Sequence, residues 1–180
     1  ETVTLDAGTG TLTVGAIGNS TEIGSVTLGS TDDGTITLNG AITADAAVTI
    51  TGPVTLATGA ISVTTTNDNI TFNDTINGAQ TLTLVAGTGT TTITGAIGAD
   101  TALTGLTITN GTANGTITLG GNIGDGSGAG VNGTTSIGNT NTVDLNFNGT
   151  LYSFDGGTTT ITAASGDNID IGAGSATTFT

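Results

Sequence analysis

Lys, Arg, His, Cys, Met and Trp are all missing from the 180 residues, and with them goes most of the polar chemistry that enzymes use. Fourteen carboxylates without a side-chain cation give a formal charge of −14, so no salt bridge between side chains can form. Phosphate backbones are held by Lys and Arg, which predicts that nucleic acid is not a partner and that anionic membranes are repelled. The absence of cysteine excludes disulfides and thiolate metal sites. No run of 18 apolar residues occurs, which predicts no membrane insertion. The opening Glu1-Thr2-Val3-Thr4-Leu5 has neither the basic nor the apolar part of a signal peptide, so the sequence reads as mature or as a piece of something longer.

Gly and Thr together make up over two fifths of the chain. Val, Ile and Leu recur throughout, and mean hydropathy is positive at +0.25. That apolar content argues against disorder. Gly, Thr and Asn disfavour helix interiors, while β-branched residues favour a pleated surface, so the chain is expected to be all-β.

Short units of the form apolar-polar-apolar mark the strands. They are Val3-Thr4-Leu5, Leu12-Thr13-Val14, Val26-Thr27-Leu28, Ile36-Thr37-Leu38, Val48-Thr49-Ile50, Val54-Thr55-Leu56, Ile61-Ser62-Val63, Ile70-Thr71-Phe72, Leu82-Thr83-Leu84, Leu106-Thr107-Ile108, Ile117-Thr118-Leu119, Val143-Asp144-Leu145 and Ile169-Asp170-Ile171. A period of two puts the aliphatics on one face and the middle residue on the other. Turn formers separate the units, as in Asn110-Gly111-Thr112-Ala113-Asn114-Gly115.

A longer period lies above the short one. Residues 5–42 align with 84–123 at an offset of about 80, and Phe72-Asn73-Asp74-Thr75-Ile76 matches Phe147-Asn148-Gly149-Thr150-Leu151. A third copy starts near Ile161-Thr162-Ala163-Ala164-Ser165-Gly166. The units expected are 1–80, 81–158 with a Gly-rich insertion near 124–142, and the start of a third over 159–180. A right-handed parallel β-solenoid would spend each period on about four coils of roughly 20 residues. Tandem β-sandwich domains are the alternative. The solenoid is favoured because aromatics number only five and Pro53 is the single proline, which suits strands hydrogen-bonded on both edges. Neither Glu1 nor Thr177-Thr178-Phe179-Thr180 protects an exposed end rung, which predicts axial continuation into flanking repeats or another copy.

The string AGTGT at 7–11 and 86–90, followed by GAIG at 15–18 and 95–98, resembles the repeats of very large bacterial exoproteins related to filamentous haemagglutinin. DNITFNDTINGAQTLTLVAGTG at 68–89 and LTGLTITNG at 103–111 are similar to them too. The resemblance covers residues 5–123 well and the rest weakly. It implies a secreted or surface-held β-solenoid used in adhesion or biofilm contact, and it brings no catalytic or binding residues.

Few residues qualify as sites. Asp32 with Asp33, and Asp167 with Asp170, are the candidate carboxylate pairs for glycan hydrolysis, but no His, Arg or Lys is present to tune them, so solvated turns are expected and no catalysis. Asp155-Gly156-Gly157 and Gly120-Gly121-Asn122-Ile123-Gly124-Asp125-Gly126 offer hard oxygens for a structural calcium, although neither keeps the nonapeptide calcium pattern in register. Thr35 with Thr37, Thr92 with Thr94, Thr107 with Thr109 and Thr116 with Thr118 could order water or bind ice, but they do not recur at a constant coil length. Sequons begin at Asn19, Asn69, Asn73, Asn110, Asn114, Asn132 and Asn148. No cofactor is expected. The sequence therefore predicts a non-enzymatic structural and adhesive segment of a secreted bacterial surface protein, extracellular or at the cell surface. The alternative is a self-assembling subunit of an extracellular filament. The expected partners are copies of itself or flanking repeats along the axis, and a host or neighbouring cell surface.

Overall fold

The computed structural model describes residues 1–31, 34–112, 114–127, 129–172 and 176–180. Among them there is no helix, and every paired strand runs parallel to its neighbours. The chain winds as a β-solenoid whose coils each cross three sheets. The first sheet stacks Thr2–Asp6, Ser25–Gly29, Val48–Thr51, Ile70–Phe72, Thr90–Ile93, Gly115–Leu119, Thr142–Phe147 and Asn168–Ile171, and eight strands in one ladder make seven turns. The second contains Thr11–Val14, Thr35–Leu38, Val54–Leu56 and Ile76–Asn77, then continues through single bridges at Ile97 and Ile123 to Leu151–Tyr152 and Thr178–Phe179. The third opens with bridges at Ile17 and Ile23 and stacks Ile42–Ala44, Ile61–Thr65, Thr81–Val85, Gly105–Thr109, Thr135–Ile137 and Thr159–Ile161. Sandwiches are excluded, because all three sheets run through the whole chain and enclose one core.

That core is a set of aliphatic stacks. In the first sheet Val26, Val48, Ile70, Thr91, Ile117 and Leu145 lie one above another, beside Leu28, Ile50, Phe72, Ile93, Leu119 and Phe147. All of these side chains are buried. Apolar-polar-apolar strands produce this directly, since alternate residues face opposite sides of the ladder. One unit departs from the pattern. Val143 falls at a register shift opposite Gly115 and Thr116, so Thr142, Leu145 and Phe147 are the buried members of that strand.

The expectation of about four coils of roughly 20 residues per period needs correction. Val3, Val26, Val48, Ile70, Thr91, Ile117, Leu145 and Ile169 are successive partners, so a coil takes 21 to 28 residues rather than about 20. Residues 5–42 and 84–123 do share one order of strands and turns. Gly10 N–H donates to Ala7 O at 3.0 Å and Gly89 N–H to Ala86 O at 2.7 Å. Gly8 and Gly87 have φ of 56° and 52°, and Gly18 and Gly98 have 71° and 65°. The faces differ, however. Leu5 lies in the first sheet and its counterpart Leu84 in the third, while Ile17 bridges within the third sheet and Ile97 within the second. The copies are therefore related by one face fewer than four whole turns, and a shift along the axis alone cannot superimpose them.

The Gly-rich stretch near 124–142 is not one irregular insertion: of the described residues, 124–127 and 129–134 connect Ile123 to the strand Thr135–Ile137, with Val131 bridged to Leu103 and Phe154, and 138–141 form the next turn.

Thr91 is the exception in its aliphatic stack. It is fully buried between Ile70 and Ile117, and its hydroxyl has no hydrogen-bond partner. A buried hydroxyl without a partner costs about 1–3 kcal/mol. Thr91→Val keeps the shape and removes the orphan, so it is expected to stabilise the fold by about 1 kcal/mol or more, read as a higher urea midpoint at unchanged slope.

Candidate functional site

The fold disperses the carboxylates. Asp6, Asp144 and Asp170 lie in first-sheet strands of the first coil and the last two coils, and every other described carboxylate sits in a turn or loop. Asp32 and Asp33 fall outside the described residues. Asp167 is an exposed turn residue, whereas Asp170 stands on the outer face of its strand opposite Asn146, so the two share no cleft. Asp155 is exposed, and its N–H donates to Val131 O at 2.9 Å. No three carboxylates converge among the described residues.

One cleft brings together residues that no sequence signal pairs. At the corner between the second and third sheets, the loops after Ile97 and Ile123 stack around an opening of about 540 Å³ lined by Asp100, Thr101, Asp125, Ser127 and Asn132. Both carboxylates already have protein donors. Asn77 Nδ2 donates to Asp100 Oδ2 at 3.2 Å. Ser127 donates to Asp125 Oδ1 through its hydroxyl at 2.7 Å and its N–H at 2.8 Å. The Ser127 hydroxyl first, then its backbone N–H, hold Asp125 below the usual carboxylate pKa.

Asn side chains tie adjacent coils together at the corners. Asn77 Oδ1 accepts the N–H of Asp100 at 2.9 Å, and Asn122 Oδ1 accepts that of Thr150 at 2.8 Å. Asn110 is buried: its Nδ2 donates to Gly89 O at 3.1 Å, and its Oδ1 accepts from the Thr142 hydroxyl at 2.9 Å. Its sequon is therefore closed to modification in the folded state, whereas Asn19, Asn69, Asn73, Asn114, Asn132 and Asn148 are exposed.

The Thr pairs are spread over all three sheets, with Thr35 and Thr37 on the second, Thr107 and Thr109 on the third, and Thr92, Thr116 and Thr118 on the first. The coils are unequal, as the spacing of the pairs implies, yet this does not misalign the strands. The extra residues are accommodated in the corner loops, and the strands stay aligned: Thr92 pairs with Thr118 across a 26-residue coil.

Tyr152 is the one side chain that titrates above the carboxylate range. Burial pushes its pKa above 10.0, opposed in part by the Gly149 N–H that donates to its hydroxyl oxygen at 2.7 Å. A phenol with a raised folded pKa stabilises the protein fully below its unfolded value of about 10, and that contribution is lost as pH rises through the folded pKa. On the alkaline side, stability is thus expected to fall above a pH of about 10, together with the ultraviolet absorbance change of tyrosinate. Tyr152→Phe should abolish that alkaline fall. It should also cost about 1–3 kcal/mol at neutral pH through the stranded Gly149 N–H.

The sequence matches no protein-family model, and no curated protein or solved structure matches it significantly. No helix of the described residues is long and apolar enough to cross a membrane.

Proposed function

We propose that this chain is a non-enzymatic structural and adhesive segment of a secreted bacterial surface protein, acting as a stiff rod at the cell surface or outside the cell. The observation that carries the reading is the unbroken axial ladder: seven turns over one continuous aliphatic core, with the carboxylates mostly confined to corners. At about 4.8 Å per rung the ladder spans about 34 Å, and bending it would strain hydrogen bonds in three sheets at once. The likeness of its AGTGT and GAIG strings to surface exoprotein repeats supports the same reading.

The alternative reading is a self-assembling subunit of an extracellular filament, in which copies pair along the axis of the parallel ladders. Denaturing electrophoresis of surface extracts separates the two readings: a 17.1 kDa species indicates subunits, and a far heavier one a slice of a long chain. For the isolated 180-residue chain, sedimentation should show concentration-dependent end-to-end oligomers that Ile171→Asp dissolves. Monomers at every concentration would defeat axial pairing, and sugar released from surface polysaccharides would defeat the non-enzymatic reading.

A further inference from the structure

The outer face of the first sheet carries one residue type in six successive coils. Thr4, Thr27, Thr49, Thr71, Thr92 and Thr118 are register partners in turn. At about 4.8 Å per rung they form a straight rank about 24 Å long. Threonine is stiff at χ1 on a strand, so each rung presents its methyl and hydroxyl in similar directions. Only Thr118 has a side-chain partner among the described residues, the Asn146 amide at 3.5 Å, and the other five hydroxyls are free for solvent. Thr2, Ser25, Thr90 and Thr116 flank the rank on one side, about 6.6 Å away along the strand, and on the other side Thr51 follows Asp6 and Gly29. From the second to the sixth coil this face bears no carboxylate, whereas Asp6, Asp144 and Asp170 lie beyond it. The described parts of the loops after Ile97 and Ile123, residues 98–104, 124–127 and 129–134, lie between the other two sheets and away from this face.

Other hydroxyl rows are less uniform. The third sheet aligns Ser62, Thr83, Thr107, Ser136 and Thr160, in which two rungs lack the methyl group. The second aligns Thr13, Thr37 and Thr55 and then changes to Asn77.

The chemistry of the first face selects its ligand. A polyanion would be repelled by a chain of charge −14. A sugar ring would find no aromatic face to stack on, because Phe72 and Phe147 of this sheet point inward. A second copy would bury only a few hundred Å² per partner on a strip of this length, against about 800 Å² in a standard interface. Water in an ordered lattice remains. A neutral row of hydroxyls and methyls with a step of about 4.8 Å, widened in places by flanking hydroxyls about 6.6 Å away, is a regular template for water in a lattice. We propose that the outer face of the first sheet binds ice, with the Thr4-to-Thr118 rank as the contact line. This inference does not depend on the rod's being a surface adhesin.

Ice itself is the probe. The 180-residue chain should show freezing-point hysteresis and should inhibit ice recrystallisation. Thr71→Tyr, at the centre of the rank, should weaken inhibition about tenfold or more. Thr83→Tyr, the same change on the third sheet, should leave it intact, with circular dichroism showing that both variants keep the β fold. An inactive wild-type chain would overturn the proposal without reference to any variant. Equal loss in Thr71→Tyr and Thr83→Tyr would also overturn it. So would retention of the wild-type chain on crystalline cellulose that Thr71→Tyr releases, since the face would then belong to a polysaccharide.

Discussion

Ile117→Asp should take away a large share of the chain's stability where Thr118→Asp leaves it almost unchanged. Ile117 is fully buried in the stack between Thr91 and Leu145, while Thr118 is its outward neighbour on the same strand. A carboxylate at 117 would lose its hydration and meet aliphatic side chains, with the unpartnered Thr91 hydroxyl on the adjacent rung as a donor. One such bond cannot replace a hydration shell, so the carboxylate would protonate or the strand would leave the ladder. Either route costs on the order of 4 kcal/mol or more, a large share of a typical 5–15 kcal/mol. At 118 the same group keeps its water, and a change within about 0.5 kcal/mol is expected. Urea titration followed by circular dichroism reads both. Equal tolerance would mean that the strand 115–119 has its faces reversed.

Tyr152→Ala should cost about 3–5 kcal/mol, and Phe147→Ala a similar amount. These rings lie near one end of the core, packed edge to face with centroids 4.9 Å apart, and Phe179 stacks on Tyr152 at 5.2 Å. Apart from Phe72, the buried hydrophobic residues elsewhere are aliphatic and can shift toward a small void. Losing a ring here removes far more volume than the neighbouring rungs can refill, and the phenol also satisfies the Gly149 N–H. Because the two rings touch, the double variant should be less destabilised than the sum of the singles by about 0.5–1.5 kcal/mol. Strict additivity in a thermal or urea cycle would show that they pack independently.

The strands were legible in the sequence because period-two alternation and turn residues are local signals, and all thirteen short units fall within strands. The solenoid followed from small aliphatics and scarce aromatics. The second sheet was harder to read, because Ile97 and Ile123 each hold their coil with a single bridged residue, too short for any pattern. Face assignment was not legible either: an 80-residue period says how often a motif returns but not through what angle the chain has turned. For the same reason the Thr rank was hidden. Its members are 21 to 26 residues apart, an irregularity in the linear text that the corner loops remove in space. The Asp100 and Asp125 cleft had no sequence signal, since it depends on two loops stacking.

The one-face offset between the repeat copies bears on how such a chain can grow. If a motif can pack on the first sheet in one copy and on the third in the next, the inherited module is a single strand with its turn, a third of a coil. Duplication or loss of one module would rotate everything downstream by about 120° and still leave aliphatics inward, because the three walls accept the same alternation. Recombination between copies then need not conserve whole coils to yield a foldable rod. Its cost would fall on anything that depends on one wall, and a surface rank would survive only where selection holds the phase.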